Sequence, residues 1–428
     1  MILQHLRGHD RRRQGQGEAV NNAAQSMRPN VLGRALRRGA VGMLVGLALA
    51  GCTASQSVVT DPATGLALPG PGATLPVAAG ETFGKGPVRV ALLLPLSGDA
   101  SLSAVGRSMA NAARLAIQFI EASPTIGDNI TVVLKDTGPR GPGAGTAASQ
   151  AVAEGASLIL GPLRADQVIA AGAVARAAGI PVIGFSNNTG AAGPGVFLLN
   201  ILPEAEMRRS LRHVQQQGRR AIAGIFPTTD YGRIQQAAFR QAVADLGLTP
   251  AAIHSFGNEA EARAAIQQVA PLIAARQVDT LVIPDRSTAP SFGVLLEEAG
   301  LPAGSVQVVG SADWNGDATI LATPALSGAL YPAVDEAGYL ALKAEYEAAF
   351  GETPHPLSTI AYTATILANA GPLALGTPRY DRAQLTLPAG FNGRDGLFRF
   401  LPDGRSEYAL VMRQVAVGGS TVVDGAKL

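Results

Sequence analysis

Cysteine is almost absent from this chain of 428 residues: Cys52 is the only one. No intrachain disulfide is available, so the fold has to stand on packing alone. Histidine is scarce as well. His5 and His9 lie near the start, while His213, His254 and His355 are isolated from one another without metal-ligand spacing. No metal and no cofactor are expected. Charge is sparse too, 15% of residues with a formal net charge of +2, which makes no electrostatic case for a nucleic-acid partner. Phosphate-loop, dinucleotide-fingerprint and nucleophile-elbow motifs are missing, and an enzyme is not expected. No long apolar run occurs after residue 51, so the sequence predicts a soluble body.

What is present begins with a leader. Arg34, Arg37 and Arg38 precede residues 40–50, which are apolar and uncharged. A run of that length fits the core of a signal peptide and is too short to span a bilayer. It ends in Leu49-Ala50-Gly51-Cys52, which resembles the bacterial lipobox. That resemblance implies cleavage before Cys52, a lipid on its sulfur, and anchoring to a membrane of the cell envelope. Residues 1–30 are polar and rich in Arg and Gln, unlike a signal-peptide start; translation from Met27 gives a leader of ordinary length. Thr53 follows the cysteine, and no acid appears before Asp61. In lipoproteins of two-membrane bacteria an Asp just after the cysteine favours the inner membrane, so the resemblance leans toward the outer one. Residues 1–51 are read as leader. Residues 52–86, rich in Ser, Thr, Pro, Gly and Ala, are read as a flexible tether.

Beyond the tether the chain alternates. The apolar run Val88-Arg89-Val90-Ala91-Leu92-Leu93-Leu94 stops at Pro95 and reads as a buried strand. Apolar residues at helical spacing follow over 103–120. Strands are expected at 130–134, 157–160, 181–185, 221–226, 252–256, 280–283 and 306–309, with helices between most of them. Gly141-Pro142-Gly143-Ala144-Gly145 reads as an exposed loop. Helices are expected again at 337–350 and 358–370. Residues 396–400, an Asp403-Gly404 turn and 408–417 read as a β-hairpin. Strands and helices alternating in this way imply right-handed βαβ units and parallel sheets covered on both faces. There are too many units for one sheet, so the fold class is α/β with two doubly wound parallel-sheet lobes.

The order of several short motifs carries a family resemblance. Val90-Ala91-Leu92-Leu93-Leu94-Pro95-Leu96-Ser97-Gly98 opens it, with Gly106 and Ala112-Ala113 in the helix behind. Leu134-Lys135-Asp136, Ile159-Leu160-Gly161-Pro162, Ile180-Pro181-Val182-Ile183 and Asp230-Tyr231-Gly232 follow, and Phe391-Asn392-Gly393 with Gly396-Leu397-Phe398-Arg399-Phe400 closes it. In this, residues 88–417 resemble the type I periplasmic solute-binding proteins of the branched-chain amino-acid branch. The resemblance implies two lobes joined by a three-crossing hinge, with a ligand cleft between them. Lobe 1 is expected to take 87–203 and about 328–405, and lobe 2 to take 204–327 and about 406–428.

Ligands of doubly wound sheets bind outside the carboxyl ends of the strands, so the loops there are the candidates. In amino-acid binders of the family, Ser/Thr-rich loops hold the ligand carboxylate. Here Ser186, Asn187 and Asn188 occupy one such loop. The preceding one, Leu163-Arg164-Ala165-Asp166, has no Ser or Thr. Arg164 is the candidate carboxylate clamp; the competing reading pairs it with Asp166. Tyr231 matches a family tyrosine that closes over the ligand, or else packs in a strand-to-helix turn. Asp313 is placed where an acid pairs with the ligand ammonium, or else in a polar loop. Trp314 covers an apolar ligand, or else sits in the core. Two functions follow from the resemblance. One is a lipid-anchored receptor passing a small polar ligand such as an amino acid to the membrane permease of an ABC transporter. The other is an outer-membrane activator of a penicillin-binding protein that uses the same fold without a small ligand.

Overall fold

The computed structural model describes residues 77–428 apart from 417. Cys52, Thr53, the leader and most of the expected tether lie outside them.

Strand β2 (Val88–Leu94) shows why the sequence reads as an unbroken apolar run. Val88, Val90, Leu92 and Leu94 point into one core, and Ala91 and Leu93 into another on the opposite face. Side chains alternate along a strand, so burial on both faces leaves no polar position. With β1 (Glu81–Phe83), β3 (Ile130–Asp136), β4 (Leu158–Leu160), β5 (Val182–Gly184) and β6 (Val196–Leu198) it forms a sheet ordered β1-β3-β2-β4-β5-β6. All pairs are parallel except β1 with β3. Helix α1 (Ala100–Ala122) covers one face. Helices α2 (Gly141–Ala153) and α3 (Ala165–Ala177) cover the other.

The chain then enters a second sheet through α4 (Pro203–Gln216). Its first five strands are β7 (Ala221–Pro227), β8 (Thr249–Phe256), β9 (Thr280–Val282), β10 (Gln307–Val309) and β11 (Leu330–Ala333). Helices α5 (Asp230–Asp245), α6 (Glu259–Ala274), α7 (Ala289–Glu298) and the short α8 (Ala318–Leu321) alternate with them. Ala223 and Ile225 face the α6 and α7 side, Ile222 and Phe226 the α4 and α5 side, the same two-sided burial as in β2. Helices α9 (Glu336–Phe350) and α10 (Ser358–Asn369) return to the first lobe, where α10 packs on α1. A small antiparallel sheet follows, β12 (Phe391–Gly393), β13 (Gly396–Phe400) and β14 (Ser406–Tyr408). Finally β15 (Leu410–Ala416) and β16 (Gly419–Lys427) close the second sheet, ordered β16-β15-β11-β10-β9-β7-β8.

This is the two-lobed α/β architecture expected, with crossings near 200–203, 334–336 and 409. Four details depart from the sequence reading. Residues 81–83, assigned to the tether, form an edge strand against β3. Residues 330–333, assigned to lobe 1, pair with β10 and β15 in the second sheet. The strand 410–416 is no partner of β13: the Asp403-Gly404 turn joins β13 to the three-residue β14, and the chain then crosses over. Gly404 has φ +89 and its Cβ would meet the Val196 carbonyl oxygen at 2.1 Å, so this turn needs glycine to lie against β6. Gly141 to Gly145 is no exposed loop but the first turn of α2, with Ala144 fully buried. Pro142 suits that position because its missing N–H is unpaired in any first turn.

The expected tether ends at a buried ion pair. Lys135 Nζ, on a side chain 3% exposed, lies 2.9 Å from Glu154 Oε1 and donates to the Ala79 carbonyl at 2.8 Å. The Ala79 N–H donates to the same Glu154 oxygen at 3.1 Å. Removing one partner strands a buried charge. Lys135→Met is therefore expected to lower stability by about 3–5 kcal/mol in urea denaturation, and Lys135→Met with Glu154→Gln to recover part of that loss. An unchanged midpoint in the single variant would show that the pair does not hold this edge.

Candidate functional site

Helix α4 begins directly after the first crossing, with Pro203 at its first position and Glu204 and Glu206 in its first turn. Acids are favoured there by the unpaired amides and the helix dipole. The apolar stripe Met207, Leu211 and Val214 then turns the helix onto β7, carrying Glu206 inward until it is 4% exposed. Its Oε2 accepts the Ala312 N–H at 2.9 Å. Ala312 opens the single 3-10 turn Ala312–Trp314 that follows β10, so Asp313 comes beside Glu206. Tyr231, on the first turn of α5, brings its hydroxyl to the same place. That hydroxyl is shielded from solvent and crowded by Glu206 and Asp313, yet it makes no hydrogen bond of normal geometry.

The electrostatics follow from this crowding. Burial pushes the Glu206 carboxyl up to about 8, helped by the charges of Asp313 and Glu204, while the Ala312 amide opposes. Asp313 is open to water on one side but enclosed by protein on the others. That enclosure raises its carboxyl, with the Arg286 guanidinium acting against it. Burial raises the Tyr231 hydroxyl too, so it stays a neutral donor. Across the crossing, Thr189 Oγ1 donates to Glu204 Oε1 at 2.9 Å, while Glu204 Oε2 is buried without a partner. Thr189, in the loop after β5 of the first lobe, is thus bonded to Glu204, whose charge acts on Glu206 and Tyr231 in the second.

The remaining expected site residues divide. Ser186 is buried, and its Oγ accepts the Asn188 N–H at 3.1 Å. Asn188 Oδ1 accepts the Gly190 N–H at 2.9 Å and so caps the turn 189–191. Both side chains thus act within their own loop, beside Asn187. Arg164 adopts its competing reading: Nε donates to Asp166 Oδ1 at 3.1 Å, on a side chain 52% exposed. Asp166 also accepts the Gly141 N–H at 3.1 Å, so the pair secures two helix starts. Trp314 is corrected from ligand wall to core. Its ring is fully buried, its N–H donates to the Pro284 carbonyl at 3.1 Å, and it packs against Tyr331. Gly310 is needed beneath it, since a Cβ there would meet the indole at 2.2 Å. Nearby, Asp285 accepts from Ser287 and Thr288, and Arg286 reaches Asp317 at 3.5 Å. Glu204 and Glu206 were missed in the sequence. Their signal was Pro203 followed by acids and then Met207, Leu211 and Val214, a helix start with an apolar stripe.

A family model described as Periplasmic binding protein matches residues 87–392, most of the chain. The chain belongs to the periplasmic binding protein family. Among solved structures it resembles a Rhodospirillum rubrum protein described as a branched-chain amino acid ABC transporter, with 22% identity and TM-score 0.68. The match covers 78% of this chain and 99% of that one. The C-domain of LpoA from Haemophilus influenzae, a regulator of PBP1A, shares 17% identity with TM-score 0.58, covering 78% of this chain and 99% of that chain. Isoleucine-bound LivJ from Streptococcus pneumoniae shares 20% identity with TM-score 0.53, covering 79% and 100%. Identities this low establish the shared fold. No curated protein matches the chain.

In this periplasmic binding protein the buried acid has a pH signature. Folded Glu206 keeps its proton up to about pH 8, whereas an unfolded glutamate releases it near pH ~4.3. The folded state then binds more protons between these values, so stability is greatest at the acid end and falls as pH rises toward about 8. Glu206→Gln is expected to remove that fall. In urea denaturation across pH, the variant should match the parent near pH ~5 and exceed it near pH ~8, by an amount on the order of a few kcal/mol. A difference independent of pH would show that Glu206 is already ionised when buried.

Proposed function

We propose that this periplasmic binding protein is a lipid-anchored receptor that takes an amino acid or related small polar ligand between its lobes. It then presents that ligand to the permease of an ABC transporter. The observation that carries the reading is the cluster of Tyr231, Glu206 and Asp313 at the carboxyl ends of the second sheet, near Glu204, which Thr189 of the first lobe holds. The Asp313 carboxyl and the oxygen of the neutral Tyr231 hydroxyl suit a ligand ammonium, and Asn187 and the side-chain amide of Asn188, in a first-lobe loop, suit its polar end. Contacts from both lobes favour the closed arrangement, the basis of hinge closure. Cys52 is the anchor in this reading, with the outer membrane favoured by Thr53.

A second reading is supported by a specific departure. Arg164 is engaged by Asp166, which takes away the guanidinium clamp expected for the carboxylate end of an amino acid and leaves that end to the neutral donors of Ser186, Asn187 and Asn188. An activator of a penicillin-binding protein needs the two-lobed body and the lipid anchor but no such ligand.

A panel of amino acids and amides is expected to raise the melting temperature of the purified protein through binding to the native state. Tyr231→Phe and Asp313→Asn should each weaken the best ligand at least ~10-fold, about 1.4 kcal/mol. No shift across the panel, together with co-purification of a murein synthase, would favour the activator.

A further inference from the structure

The second lobe holds a cavity of about 650 Å³ that does not involve the first lobe: every residue lining it lies between Pro227 and Glu298. It runs between α6 and α7 and opens at the carboxyl ends of β7, β8 and β9. Volumes of roughly 300–1,000 Å³ are those of small-molecule sites. The floor is apolar. Phe256 and Phe292 meet edge to face with ring centroids 5.0 Å apart, Ala262 and Leu295 flank them, and Val294 stands 48% exposed at the rim.

The walls carry an excess of negative charge. Glu259, Asp285 and Glu298 line the cavity against a single cation, Arg263. That guanidinium is already held by Glu298 at 2.5 Å and Glu259 at 3.3 Å. Among the described residues no Lys, Arg or His nitrogen lies within ion-pair distance of Asp285. One of its oxygens, Oδ2, takes the Ser287 and Thr288 hydroxyls and the Thr288 N–H, and Asp285 lines the cavity together with Thr228.

We propose that this groove is a binding site for a small amine with an aryl or alkyl body, the body on Phe256 and Phe292 and the ammonium at Asp285. An anion of the same shape would face net negative walls with its one possible partner occupied. No first-lobe residue lines it, so the site does not need the lobes to close, although Asp285 is near enough to Asp313 for their charges to interact.

The test uses saturation-transfer NMR with 2-phenylethylammonium and 3-phenylpropionate, probes of like body and opposite charge. The amine is expected to bind at least ~10-fold more tightly than the carboxylate. Asp285→Asn, which keeps an acceptor for the start of α7, should remove that preference. Ser291→Trp, at an exposed lining position, should fill the groove and abolish the amine signal, with far-UV circular dichroism confirming that both variants are folded. Equal binding of the two probes to the parent protein, or no binding of either, overturns the proposal without reference to any variant. Amine binding kept in Ser291→Trp but lost in Tyr231→Phe would place the amine between the lobes and overturn it as well.

Discussion

Strand β2 pairs along all seven of its residues with β3 and along three of them with β4, while both of its faces are covered. That double burial is the constraint from which the rest of the lobe follows. A parallel strand with no solvent face needs helices on both sides, and each helix must return the chain to the same end of the sheet. Loops therefore collect at the two ends of the strands, and those at the carboxyl edge carry the cluster of Glu206, Asp313 and Tyr231. The second lobe repeats the scheme around β7.

The polar chemistry at that edge is mostly acidic. Glu204, Glu206 and Asp313 converge, with Arg286, shared with Asp317, acting on Asp313 and Arg405, paired with Asp403, acting on Glu204. Burying an uncompensated carboxylate is costly, and holding the proton is the less expensive answer, which is why Glu206 titrates so far above an ordinary glutamate. The same acid ties α4 to the turn after β10 through the Ala312 amide. One side chain thus joins the crossing between the lobes to the loop that carries Asp313.

Much of this was legible beforehand. The βαβ alternation, the two lobes and the placing of Ser186, Tyr231 and Asp313 in loops at strand ends all come from local pattern. Arg164 shows where local pattern stops: both its readings were visible, and the choice of Asp166 depended on the starts of α2 and α3 lying side by side. Glu206 could not be ranked as a site residue, because an acid in a first helical turn is ordinarily exposed. Its burial depends on which face of α4 meets β7.

By itself, then, the sequence determined which segments are strands buried on both faces, since an apolar run without alternation has few other uses. It also determined that a single cysteine leaves no intrachain disulfide to brace the fold. Only the tertiary structure decided that Trp314 fills a core, that β11 and β15 pair with each other, and that Glu206, Asp313 and Tyr231 meet. The physical reason is common to all three. Each depends on partners far apart in the chain, brought together by strand order and helix packing, and neither hydrophobic period nor residue spacing records those choices.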